Sequence, residues 1–270
     1  MKIFIMTDME AVAGVLDHDS WVMRDGIFYQ QGLRLCTEEV NAAIDGFFTA
    51  GATEILVVDG HGAGGINPEL LDPRAFLARG RAEKIWPWTM DQSYDALAFV
   101  GQHAKAGTPY SHITHTGWFD VIDLSINGLS IGEYGQLSLC AMELGVPTIL
   151  ACGEEALCKE AEALTPGVFT VSGKRGLLPD GLDHLDSEGY RKAKLGAIHR
   201  SPTVVREEIR EQAALSLRRL QNDPLSFRYP DLKPPFKRVA KFRPHKGNPA
   251  RECTDEHPDS IIGLLNQRLS

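Results

Sequence analysis

The sequence predicts an α/β fold, a mixed, largely parallel sheet flanked by helices, with a smaller C-terminal α+β part. Three observations predict it. Short apolar runs rich in β-branched and aromatic residues recur at residues 2–7, 54–58 and 96–100. An amphipathic helical pattern separates the first two, and strand, helix, strand implies a right-handed parallel crossover. Each run also stops abruptly at polar residues, the first at Asp8, the second at Asp59-Gly60-His61 and the third at Gly101-Gln102-His103.

The elements follow in order. Residues 2–7 read as a buried strand bounded by Asp8. From Cys36 the apolar positions Cys36, Val40, Ala43, Ile44, Phe47 and Phe48 recur at three- and four-residue intervals, and Gly51 supplies a left-handed stop, so this stretch reads as a helix. Glu54 to Val58 is the second strand, running into the glycines Gly62, Gly64 and Gly65. Ala96 to Val100 is the third. Val121 to Ile126 and Leu129 to Ile131 flank Asn127-Gly128, the dipeptide that best tolerates the two positive φ angles of a type I′ hairpin turn. That hairpin delivers Gly132-Glu133.

Residues 134–144 read as a helix, 147–151 as a strand, and Glu154 to Leu164 as a helix stopped by Thr165-Pro166. Ser201-Pro202, a cap and a first-turn proline, opens a helix to Asn222 with Val205, Ile209, Ala213, Leu217 and Leu220 on one face. The proline-rich, charged tail from Pro224 to Pro258 carries Phe227, Tyr229, Phe236, Val239 and Phe242, and short strands or an extended arm are expected there. Glycine and proline interrupt the α/β pattern between Thr165 and Pro179. The expected division is therefore an α/β domain over 1–165 that carries the candidate site, and a C-terminal region over 166–270 completing the fold and subunit contacts.

A chain of 270 residues with 43% hydrophobic content can bury a sizeable core. A net charge of -8 argues against nucleic acid or an anionic membrane as partner, since such binders cluster Lys and Arg. A small molecule fits better. The five cysteines, Cys36, Cys140, Cys152, Cys158 and Cys253, form no C-x-x-C pair and read as reduced core thiols. The N-terminal apolar run is too short for a signal peptide and no stretch approaches a membrane span, so a cytoplasmic location is expected.

In open α/β sheets ligands bind beyond the carboxyl ends of the strands, which gathers Asp8, His61 and His103 onto one edge. Asp8 and Glu10 have the i, i+2 spacing that points both carboxylates to one side of an extended chain. Carboxylates that close repel unless something positive lies between them. Carboxylates and imidazoles without thiolate make a mixed N/O donor set suited to Zn²⁺, with Mn²⁺, Co²⁺ or Ni²⁺ as alternatives. By spacing alone Glu133 is a first-turn glutamate stabilising a helix N-terminus. His112-Ile113-Thr114-His115-Thr116 adds two histidines, either of which fits general acid–base work or donation to an oxyanion.

The blocks Thr7-Asp8-Met9-Glu10 with Gly14, Thr37-Glu38-Glu39-Val40-Asn41, and Val58-Asp59-Gly60-His61-Gly62 with Asn67 occur in that order. They are followed by Gly101 through Thr108, His115-Thr116, and Asn127-Gly128 leading to Gly132-Glu133-Tyr134-Gly135. In identity, order and spacing the sequence resembles the zinc-dependent D-aminopeptidases of the DppA type, peptidase family M55, most strongly over residues 1–153. The resemblance implies two zinc ions per subunit held by Asp8, Glu10, His61, His103 and Glu133, with Asp8 as the bridge and His115 as the catalytic residue beside them. It also implies short peptide substrates with an N-terminal D-amino acid, and a homo-oligomer, commonly a ring-stacked decamer. One departure is a loop between Pro109 and His115 a residue longer than the family's usual form, which brings in His112 as a competitor of His115. Two rival readings are a phosphohydrolase using Asp8 as nucleophile, which leaves His61 and His103 idle, and a non-hydrolytic peptide-binding protein, a class normally exported.

Overall fold

The computed structural model describes residues 1–80 and 84–269. In chain order the elements are β1 (Lys2–Thr7), α1 (Tyr29–Thr49), β2 (Glu54–Asp59), β3 (Phe76–Ala78), β4 (Ala96–Gln102), β5 (Val121–Ile126), β6 (Leu129–Ser130) and α2 (Glu133–Leu144). They continue with β7 (Thr148–Glu154), α3 (Glu155–Leu164), β8 (Phe169–Gly176), α4 (Ser187–Ala193), β9 (Ala197–His199), α5 (Pro202–Asn222), β10 (Phe236–Phe242), β11 (Arg251–His257) and α6 (Ile261–Asn266). A single π-helical turn spans His18–Val22.

Seven strands form the main sheet in the order β3-β2-β1-β4-β7-β8-β9, and only β9 runs antiparallel to its neighbour. A smaller antiparallel sheet has the order β11-β10-β5-β6. The expected mixed, largely parallel sheet with helices is what forms. The small sheet draws on two distant stretches, since β10 from the tail pairs with β5 of the hairpin.

Side chains of β1 alternate between two cores, Ile3 and Ile5 on one face and Phe4 and Met6 on the other, and all four are buried. β4 repeats this with Ala96, Ala98 and Val100 opposite Leu97 and Phe99. A strand covered on both faces needs apolar residues at every position, which is why these runs read as continuous in sequence. On the Ile3 face, α1 and α5 pack against each other and the sheet; on the Phe4 face lie α2, α6 and the small sheet.

The chain lays β2 and β3 on one side of β1 and then crosses to place β4, β7 and β8 on the other. The direction of winding thus reverses between β1 and β4, which opens a crevice at their carboxyl ends. Asn127 and Gly128 both adopt positive φ, 50° and 80°, as the type I′ expectation requires. Helix α1 begins at Tyr29 rather than Cys36, and the tail forms two seven-residue strands and a terminal helix. All five cysteines are buried free thiols. Among the described residues no helix is long and apolar enough to cross a membrane.

Candidate metal centre

Thr7 stands in register with Asp59 of β2 and Val100 of β4, so the residues that follow leave the sheet along one edge. Asp8 N–H donates to Val100 O at 3.0 Å and Ala11 N–H to Gly101 O at 3.0 Å, which folds the 8–15 loop over the end of β4. Gly101 makes that approach possible: its φ is +76°, and a Cβ there would lie 2.1 Å from Asp8 O. Glu133 arrives from a different direction, as the first residue of α2.

The side chains converge. Asp8 uses both oxygens, with Oδ1 3.1 Å from His61 Nδ1 and Oδ2 3.3 Å from His103 Nε2. Glu10 Oε2 lies 3.1 Å from His61 Nδ1. Glu133 Oε2 lies 3.6 Å from His103 Nε2, and its Oε1 is 4.0 Å from His115 Nε2 and accepts Gly117 N–H at 2.7 Å. The His103 and His115 rings stack with centroids 4.1 Å apart. Gln102 Nε2 donates to Asp8 Oδ2 at 3.0 Å and to Glu133 Oε2 at 3.4 Å.

Each histidine turns one nitrogen toward a backbone carbonyl and the other inward. His61 Nε2 is 3.0 Å from Val22 O, His103 Nδ1 is 2.8 Å from Ala104 O, and His115 Nδ1 is 3.0 Å from Ile113 O. A ring nitrogen that donates to a carbonyl leaves the other nitrogen with its lone pair, which is how metal-binding imidazoles are oriented. The inward His103 Nε2 is buried and has no hydrogen-bond partner among the described residues.

Burial, and then the Glu10 charge, push the Asp8 carboxyl up to about 8. For Glu10 burial works in the same direction, but His61 outweighs it and holds the group well below the usual carboxylate range. Burial resists charge on the His103 ring, yet Glu133, Asp8 and Glu10 raise it to about 9; burial opposes charge on His61 too, but Glu10 and Asp8 hold that ring well above its ordinary range. Imidazolium protons therefore stand where the carboxylates demand positive charge. Exchange of those protons for cations satisfies the same demand, because a ligating imidazole must be neutral. Ligand atoms of Asp8, Glu10 and His103 lie within 4.8 Å of one another, as do those of His103, His115 and Glu133. With His61 joined to Asp8 and Glu10, these carboxylates and imidazoles form a mixed N/O donor set whose chemistry suits divalent metal ions.

The cluster lies at the base of a cavity of about 580 Å³. Asp8, Glu10, His61, His115 and Glu133 line it, with Trp86, Trp88 and Trp118 among the outer residues. His112 is elsewhere: its ring is buried, with Nε2 against Leu16 O at 3.1 Å and Leu195 O at 3.2 Å.

The family model for D-aminopeptidases, Peptidase M55, matches residues 1–247. The chain belongs to this family. A D-aminopeptidase of Bacillus subtilis (strain 168) is 34% identical over 180 residues, a match spanning 65% of this chain and 64% of that relative. The solved structure of the Zn-dependent D-aminopeptidase DppA from Bacillus subtilis, described as a self-compartmentalizing protease, superposes with a TM-score of 0.80. It does so at 25% identity, covering 97% of this chain and 93% of that one.

The remaining blocks of the family pattern hold the loops around the site. In Thr37-Glu38-Glu39-Val40-Asn41 the side chains brace the site loops from α1. Glu39 accepts Ala13 N–H at 2.9 Å, Thr37 Oγ1 accepts Asn67 N–H at 2.9 Å, and Asn41 bonds Leu70 O and Asp72 N–H. Asp59 accepts Gly65 N–H at 2.9 Å and pairs with Arg79 at 2.8 Å, closing the loop that carries His61. Glu154, at the end of β7, accepts the N–H groups of Ala104 and His112. Lys174 reaches from β8 to donate to Glu10 O and Val15 O. Sequence reasoning assigned no role to Gln102, Lys174 or His18, a buried residue that also lines the cavity. Gln102 stood beside a chosen ligand; Lys174 sat in a stretch with no readable strand pattern.

Proposed function

We propose that this chain is a dinuclear zinc aminopeptidase that hydrolyses short peptides with an N-terminal D-amino acid. The observation that carries the reading is the convergence of Asp8, Glu10, His61, His103 and Glu133, with His115 beside them, in a chain of the D-aminopeptidase family. When bound, the metal pair supplies positive charge that polarises a carbonyl and lowers the pKa of water toward neutrality.

The rest is the work of the chain's own groups. Asp8, with an oxygen directed to each half of the cluster, would hold the metal ions together with Glu10 and His61 on one side and His103 and Glu133 on the other. Gln102 and the Gly117 N–H hold Asp8 and Glu133 in place. His115 is the proton carrier: its Nδ1–H is committed to Ile113 O, so Nε2 presents a lone pair at the edge of the cluster. Burial above all lowers the ring to about 4, which keeps it neutral and able to accept a proton. The substrate's α-ammonium finds matching charge among the carboxylates at the cavity base.

The self-compartmentalizing organisation of the Bacillus subtilis relative supports a homo-oligomer for this chain as well. A ring-stacked decamer and a cytoplasmic location are the finer parts of the same proposal.

The test is metal analysis together with hydrolysis of paired D-Ala and L-Ala dipeptides. Wild type is expected to hold two equivalents of zinc and to favour the D-substrate. His115→Ala is expected to keep its metal while kcat falls by about 10²- to 10⁴-fold. A protein that takes up no transition metal on reconstitution, or a His115→Ala variant with wild-type kcat, refutes the corresponding part.

A further inference from the structure

Among the described residues four carboxylates line the cavity, Asp8, Glu10, Asp25 and Glu133, whereas Arg24 is the single arginine or lysine in that lining. Arg24 lies just past the π-helical turn, and its Nε donates to Ala63 O at 2.9 Å. Ala63 is two residues beyond His61, a stretch that spans at most about 7 Å even when extended. The loop bearing that carbonyl is fixed from two other sides, by Tyr29 Oη on Gly64 O at 2.8 Å and Arg79 on His61 O at 3.2 Å. The guanidinium is therefore tethered close to the metal cluster. Its Nη1 and Nη2 have no hydrogen-bond or ion-pair partner among the described residues, the adjacent Asp25 included.

A planar fork with one edge free matches the two oxygens of a carboxylate. In a dipeptide whose amino end sits among the base carboxylates, the C-terminal carboxylate follows the scissile bond by a single residue, about 3.6 Å of chain. A C-terminal amide lacks the charge, and each added residue carries the carboxylate farther from the tether. We propose that Arg24 is a specificity-determining residue that binds the free C-terminal carboxylate of the substrate, so that dipeptides are preferred over their amides and over longer peptides. The proposal rests on the aminopeptidase reading above.

The experiment measures kcat and KM of the zinc-loaded enzyme on D-alanyl-D-alanine, its C-terminal amide and the D-alanine tripeptide, for wild type, Arg24→Gln and Arg24→Lys. In Arg24→Gln the ratio of kcat/KM for the dipeptide over its amide is expected to fall about tenfold or more, chiefly through KM, with partial recovery in Arg24→Lys. An unchanged ratio in an active Arg24→Gln enzyme overturns the role of Arg24 and leaves the aminopeptidase reading standing. Failure of wild type to hydrolyse any of the three overturns both. Should Arg24→Gln not fold, the wild-type preference for the acid over the amide is expected to narrow as ionic strength rises, and a salt-independent ratio overturns the proposal.

Discussion

His112 and His115 are three residues apart and have opposite surroundings. His115 stacks on His103 and lines the cavity, whereas His112 is enclosed by the Leu16 and Leu195 carbonyls and the His199 ring, 5.4 Å away. Nothing in their spacing distinguishes them, because which ring faces Asp8, His103 and Glu133 depends on the longer loop and on residues brought in from β8 and β9. Burial above all, then Lys174 and His199, lowers the His112 ring to about 2, so it stays neutral in the folded protein. The unfolded chain takes up this proton near the ordinary value of 6.5 while the folded chain does not. Stability therefore falls as pH drops below about 6.5, with a slope of up to ~1.4 kcal/mol per pH unit from this one group. His112→Asn is expected to flatten that slope in urea unfolding measured between pH 7 and pH 5. A variant with the same slope as wild type would place the acid sensitivity in other groups.

At the scale of elements, the β5–β6 hairpin joins the part of the chain that carries the carboxylate and histidine cluster to its tail. Asn127 holds a positive φ, donates from Nδ2 to Lys233 O at 2.8 Å and to Pro235 O at 3.2 Å, and accepts Lys237 N–H at 2.7 Å. Its replacement by alanine loses these bonds and leaves a Cβ residue without a local polar partner in the left-handed region. The expected cost is roughly 2 kcal/mol, read as a lowered urea midpoint at unchanged slope. A loss below roughly 0.5 kcal/mol would mean that β10 and β11 hold the tail without this turn. The hairpin was readable in sequence because Asn-Gly has one dominant use, and β1, β2 and β4 were readable because burial on both faces makes them uniformly apolar. β8 was not. Its sequence, Phe-Thr-Val-Ser-Gly-Lys-Arg-Gly, places Lys174 inside the protein to serve the 8–15 loop, so its polarity conceals a buried strand. β3 is only three residues long with Phe76 exposed, and Gly32 interrupts the pattern that would have extended α1 back to Tyr29. Of the candidate site, the strand-end residues Asp8, His61 and His103 followed from topology, but Glu133 lies at a helix start and needed the family pattern.

For the whole molecule, the carboxylate and histidine cluster acts as a junction. Its side chains come from the loops after β1, β2 and β4, the loop before β5 and the first turn of α2, segments otherwise tied together through the sheet and a handful of bracing hydrogen bonds. Three carboxylates, Asp8 and Glu10 almost wholly buried and Glu133 partly so, meet here, and positive charge between them favours the folded arrangement over the unfolded chain. Zinc that binds only the folded protein stabilises it by about 2.7 kcal/mol per site at a free concentration one hundred times Kd. In a chain of this size that corresponds to a Tm rise of about 5–10 °C per site. Chelation followed by dialysis is therefore expected to lower Tm by at least this amount while the far-UV spectrum stays native at 25 °C. Zinc returned in excess is expected to restore Tm, and magnesium is not, since the imidazole nitrogens favour zinc over an ion that prefers an all-oxygen shell. Asp8→Asn weakens the group directed to both halves, so its Tm should respond to zinc less than that of wild type. A Tm indifferent to both chelation and zinc would show that these side chains hold no ion in the folded state, and the charge among them would then be balanced by protons on His61 and His103.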